Sequence, residues 1–292
     1  MKFDRTEKHW FRAFSLILLI LGGLLMLSGC SSTKDLQKKL RANPVGLGYC
    51  LNTVPYRGEK CGTVVLKELG AANMDYQTWV KNRRQVLVPL VLYNYHQSLY
   101  DVGLGEQSLD QPYRNFFLNA LYAESDHSGC FYLQPEVPEE PNDSLYILEI
   151  YFDSICTKGK IKCVESVIVW FDDDLHFGQG TLENHKYSLQ DVGSDICAHV
   201  GLYKGAKCVL RKSYRVEQPY TCRLKCADLN DLSYYSMHEL AKALSVSTRE
   251  LIENIVQEVS LIVSGRNNAP VPASPLPPAA PDQSDTPTDS SH

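Results

Sequence analysis

The chain has 292 residues, with 29 Lys and Arg against 34 Asp and Glu, for a net charge of −5. No basic excess is available to neutralise phosphates, which excludes nucleic-acid binding as its main role. The length suits one domain with appendages, or at most two.

The first thirty residues carry the strongest signal. Lys2, Arg5, Lys8 and Arg12 precede an apolar run over 13–27, which ends in Leu27-Ser28-Gly29-Cys30. A basic start, a short apolar run and small residues at its end form the layout of a signal peptide. The run is short for a bilayer span of ~20 residues. Leu27-Ser28-Gly29-Cys30 resembles the lipobox of bacterial lipoproteins. That resemblance implies cleavage before Cys30 and acylation (palmitate included) of the Cys30 sulfur, a thiolate being the nucleophile that takes the lipid. Ser31, rather than Asp, implies sorting to the outer membrane, facing the periplasm. Processing would leave 25 Lys and Arg against 32 Asp and Glu, a net charge of −7. No polybasic patch follows, so the acyl chains must supply the anchoring.

Residues 30–44 are polar and read as a tether, and 45–80 as a loop-rich segment. The run 85–95 is rich in Val, Leu and Tyr and predicts a buried strand, with Pro89 implying an edge or bulge. Asp110 is placed to cap a helix and Pro112 to sit in its first turn. Tyr113, Phe116, Phe117, Ala120 and Leu121 recur on one face of that helix, and Gly129 closes it. Cys130 to Leu133 predicts a short strand. Ser144 to Phe152 alternates, Lys158-Gly159 reads as a turn, and Val164 to Phe171 is again apolar. Together these predict a hairpin. Residues 172–200 are polar and give no clear pattern, and 206–217 predicts another strand. From Ser236 to Val263 an unbroken stripe (Met237, Ala241, Leu244, Thr248, Leu251, Ile255, Val259, Ile262) predicts one helix roughly 40 Å long. Ser236 to Glu239 looks like its capping box. The tail 265–292 is Pro-rich and predicts disorder.

Nine cysteines remain besides Cys30. In an oxidising compartment disulfides are their default use. Cys50 and Cys61 enclose one loop, and Cys156 and Cys163 flank the expected hairpin turn, so these two pairs are the predicted bridges. Cys197, Cys208, Cys222 and Cys226 can pair in three ways, and Cys130 is left over. No zinc spacing is present, so no metal and no cofactor is expected.

Candidates for catalysis are weak. Asp172, Asp173 and Asp174 followed by His176 could hold a cation, but consecutive strand residues alternate faces, so a solvated turn accounts for them better. Ser128 lacks the preceding glycine of a nucleophile elbow, and a helix C-cap explains it. His96, His185 and His199 share no spacing. Residues 236–255 have the cadence of a helix-turn-helix, but Arg249 is outnumbered by Glu250, Glu253 and Glu258. The sequence therefore predicts no enzyme.

With the elements in order, residues 47–263 resemble the ABC-type transport auxiliary lipoproteins. These are outer-membrane partners of MCE-type intermembrane lipid transport systems, including the paraquat-inducible system. The resemblance rests on Tyr49-Cys50-Leu51, similar to an early strand, and on Leu109-Asp110-Gln111 with Arg114-Asn115 and Leu118 to Leu121 at a helix opening. Asp143-Ser144-Leu145 leads into the strand after that helix. Lys212 to Glu217 resembles a late strand and Tyr235 to Val259 the terminal helix. The additional cysteines, the stretches 63–84 and 172–206 and the Pro-rich tail depart from the family pattern.

The combined expectation is an α+β two-layer sandwich, with a mixed or antiparallel sheet packed by a central helix and a long C-terminal helix. Its parts would be a signal peptide (1–29), a tether (30–44), a lipoprotein domain (45–264) and a disordered tail (265–292). The resemblance implies a non-enzymatic docking role in lipid transport, with an MCE-type partner, a membrane anchor and possible homo-oligomerisation. The competing class is an envelope interaction lipoprotein that binds peptidoglycan, a peptidoglycan synthase or a secretion assembly.

Overall fold

The computed structural model describes residues 44–70, 74, 79–88, 93–136, 145–171, 177–226 and 228–265, together with Leu36, Lys38, Lys39, Leu40 and Ala42. Residues 1–35, including the signal-peptide expectation and Cys30, lie outside the described residues. So do Pro89, Asp172 to Asp174, His176 and the tail from 266 onward.

The protein is α+β, as the sequence predicts. Its strands are β1 (Gly62–Gly70), β2 (Trp79–Val88), β3 (Tyr93–Val102), β4 (Phe131–Gln134), β5 (Leu145–Phe171), β6 (Phe177–Lys204) and β7 (Lys207–Cys226). Among the described residues the two long helices are α1 (Tyr113–His127) and α2 (Leu229–Val263), beside a short 3-10 helix at Glu106–Ser108 and helical residues between 36 and 42. The seven strands form one mixed sheet. It is organised around β5, whose 27 residues extend for roughly 90 Å at ~3.3 Å per residue. One edge of β5 is therefore long enough for two partners. β1 lies parallel to Leu145–Tyr151 and carries parallel β4 outside it. β3 lies antiparallel to the stretch from Gly159 to Ile168 and carries β2. The other edge of β5 pairs antiparallel with β6, and β6 with β7.

The expected hairpin within 144–171 is not present. Both halves belong to the single strand β5, and the true hairpin joins β5 to β6, with Phe171 opposite Phe177. Gly159 was misleading because it serves packing rather than turning. A Cβ there would lie 3.2 Å from Leu189 and 3.4 Å from Leu240 on α2. Glycine in a strand commonly marks such a close approach. The real turn glycine is Gly205, at φ +57°, in the two-residue connection between paired Lys204 and Lys207. A side chain is strained in that left-handed region.

Other elements shift in similar ways. The single strand expected over 85–95 is divided between antiparallel β2 and β3, with Val88 paired to Tyr93. The segment expected to be loop-rich contains β1, an interior strand flanked by β4 and β5. Residues 172–200, opaque in sequence, supply most of β6. Tyr49 to Leu51 form no strand and run as irregular chain. Leu36 and Leu40, in the segment read as a tether, are 1% and 0% exposed and join the core. They are four residues apart in a helical stretch, so they share a face.

The helices cover one face of the sheet. Tyr146, Leu148, Ile150 and Phe152 of β5 alternate inward, and a register shift between Phe152 and Ser154 brings Ile155 inward next. β6 contributes Val192, Ile196, Ala198, Val200 and Leu202 to the same core. Phe117 of α1 is fully buried, its ring edge-on to Phe152 with centroids 4.9 Å apart. Helix α2 has 35 residues, about 52 Å, longer than expected at its start. Asp228 caps it by accepting the Asn230 N–H at 2.6 Å. The expected capping box at Ser236 therefore lies inside the helix, where Ser236 is buried. The apolar stripe from Met237 to Val259 is buried as predicted. At the start of α1, Asp110 makes no cap. The Tyr113 N–H donates to Glu106 instead, at 2.9 Å.

Candidate functional site

The predicted bridge between Cys156 and Cys163 is corrected by the fold. Both residues lie on β5, seven positions apart and hence about 23 Å along the strand, where a disulfide needs Cα atoms within ~7 Å. Their backbone partners across the β5–β6 ladder are Asp195 and Tyr187. Cys50 and Cys61, the other predicted pair, are both exposed. Cys50 lines a groove beside α2. Cys61 stands at the start of β1, where its N–H donates to the Cys130 carbonyl at 2.6 Å.

The groove holds about 310 Å³ between the extended segment 45–50 and α2. Val45, Ala241 and Val246 give it apolar walls, while His238, Lys242 and Arg249 place cationic or protonatable groups along its length. The Gly48 N–H donates to Ser245 at 3.1 Å and ties the two walls together. Val45 is pinned in turn by a backbone bond to Ser108 at 2.9 Å. Arg249 also approaches Glu253 at 3.6 Å. An apolar trough with basic groups suits an anionic amphiphile, whose tail seeks apolar surface and whose head seeks charge. The helical periodicity of α2 was legible in sequence. The opposing wall was not, because 45–50 has no regular structure.

Next to the groove, Glu124 forms a buried hub. Its carboxylate is fully enclosed and accepts from Tyr49 at 2.8 Å and Ser128 at 2.6 Å, and also from Thr53. Burial, then the bond to Glu124, pushes the Tyr49 phenol well above its ordinary range. Glu253 of α2 is also raised, first by burial and further by the charge of Glu124, with Arg249 acting against both. Ser128 caps α1, as the sequence predicts, with its backbone N–H on the Glu124 carbonyl at 2.8 Å. His127 reaches the Thr53 carbonyl at 2.9 Å. The hub therefore fastens the chain over 49–53 to the end of α1.

The sheet face away from the helices is polar. Asp195 meets Arg215 at 2.9 Å, Lys67 meets Glu149 at 2.9 Å, and Tyr151 donates to Glu68 at 2.6 Å. The same face brings His199 between Asp153, at 2.7 Å from Nε2, and Ser213, at 2.7 Å from Nδ1. Sequence spacing could not show this chain of contacts, because cross-strand pairing of His199 with Ser213 creates it. The His199 and Asp153 side chains are 54% and 53% exposed. Hydroxyl activation draws its strength from water-excluded surroundings, so the arrangement here works as a surface hydrogen-bond network. Among the described residues no group of three or more His, Cys, Asp or Glu side chains is placed to hold a metal ion. No helix among them is long and apolar enough to cross a membrane.

No family model matches this chain, and no curated protein matches it. Among solved structures it is similar to the crystal structure of protein XCC0632 from Xanthomonas campestris, family-model DUF330. The identity is 11% and the TM-score 0.36, over 76% of this chain and 97% of that one.

Proposed function

We propose that the chain is an outer-membrane lipoprotein, anchored through acylated Cys30 and facing the periplasm. It would act without catalysis as an auxiliary, docking component of intermembrane lipid transport beside an MCE-type partner. The observation that carries this reading is the short apolar run closed by Leu27-Ser28-Gly29-Cys30. A lipid-related role is supported by the groove beside α2, whose apolar walls and basic side chains suit part of an anionic amphiphile. The polar outer face of the sheet offers charged pairs to a protein partner, as specific docking requires.

Two measurements test the reading. Cys30→Ala should accumulate as an unprocessed precursor outside the outer-membrane fraction; a normally acylated, normally sorted product would refute the anchor. The full chain taken from crosslinked envelopes should bring phospholipid and a transport component with it. Capture of sacculi or a wall-synthesis assembly without lipid would replace transport with the envelope-interaction reading.

A further inference from the structure

We propose that Cys61 and Cys130 form a disulfide that staples β1 to β4 at the end of the sheet where α2 finishes. The pairing follows from the fold and not from loop spacing, which had set Cys61 against Cys50 and left Cys130 alone. β1 and β4 run parallel with Gly62 opposite Phe131, and the two cysteines immediately precede that pair. The bond from the Cys61 N–H to the Cys130 carbonyl is 2.6 Å. Covalent dimensions then hold the two Cα atoms within roughly 6.5 Å, inside the ~4.4–6.8 Å range of disulfides. The side chains also converge. Burial, and then the neighbouring Cys61 thiol, raise the Cys130 thiol above its ordinary range, with a contact to Ser260 opposing them. The Cys130 Sγ lies 3.2 Å from the Ser260 carbonyl on α2, so one member of the pair already touches the last turns of that helix.

Exposure sets the order of events. Cys61 is open to solvent and Cys130 is buried. The Cys61 thiolate attacks an incoming disulfide, that of a thiol oxidase or of oxidised glutathione, forming a mixed disulfide and releasing one donor thiol. Cys130 loses its proton and attacks the Cys61 sulfur, releasing the second donor thiol. Two thiols lose two electrons and two protons, and the donor disulfide gains both as a dithiol or two thiols. In the cell this step rests on the export proposed above, since an oxidising donor must be present.

The test uses the full chain in two settings. Purified reduced chain is treated with oxidised glutathione, alkylated, digested without reductant and mapped by mass spectrometry. The expected product links the Cys61 and Cys130 peptides, with loss of alkylation at both positions; Cys61→Ser should abolish that link and leave Cys130 as a free thiol. Both thiols alkylated in the wild type, or Cys61 joined to Cys50, overturns the pairing in any compartment. The same map is made from cells alkylated before lysis, where the link is again expected. A pair closed by glutathione but found reduced in cells leaves the pairing intact and refutes the export reading.

Discussion

Glu124 offers the most direct test of how this domain holds its irregular chain. A carboxylate in the last turn of a helix faces the negative end of the macrodipole, and Glu124 is fully buried there. Its placement must therefore be offset by its partners, the hydroxyls of Tyr49, Thr53 and Ser128. Hydrogen bonds to a charged group contribute about 1.5–3 kcal/mol each. Glu124→Leu removes three and leaves donors that only partly regain water. Added apolar burial returns about 1–2 kcal/mol, so the net loss should be at least about 2.5 kcal/mol, a shift of roughly 70-fold or more in the folding equilibrium. Glu124→Gln keeps the shape and one carbonyl acceptor and should lose about 1–2 kcal/mol. Urea unfolding of the three proteins at neutral pH measures the series, and hydrogen exchange should show opening concentrated in 46–61. A Glu124→Leu protein within about 0.5 kcal/mol of wild type, with 46–61 still protected, would refute the view that this carboxylate fastens the segment.

Phe117→Ala removes a fully buried ring that meets Phe152 edge-on, and should cost about 3–5 kcal/mol; a loss below about 1 kcal/mol in the same assay would mean that α1 is not packed on β5 as described. Glu253 gives a pH signature. Burial raises its folded-state pKa above the ordinary 4.5, so the stability of its protonated form is present below that value and lost as pH rises through the folded pKa. Glu253→Gln should therefore be more stable than wild type at neutral pH, with the gap closing as pH falls toward 4.5. A gap independent of pH would contradict the assignment.

Helix-forming information is local, and that is why both helices were legible in sequence. The stripe from Met237 to Val259 repeats at the helical period, and burying it needs only some apolar surface opposite. The faces of α1 and the α+β class followed on the same grounds. The extent and pairing of the strands were not local. A 27-residue strand looks like two short ones when register shifts break its alternation and a glycine sits in the middle. The approach of Leu189 on β6 and Leu240 on α2 shows why Gly159 is there. The lipobox-like start remains purely a sequence observation. The groove, the Glu124 hub and the juxtaposition of Cys61 with Cys130 exist because chain segments distant in sequence are brought together. Cys61 and Cys130 meet because β4 lies parallel beside β1, and loop spacing, which counts only residues along the chain, carries no record of which strands become neighbours.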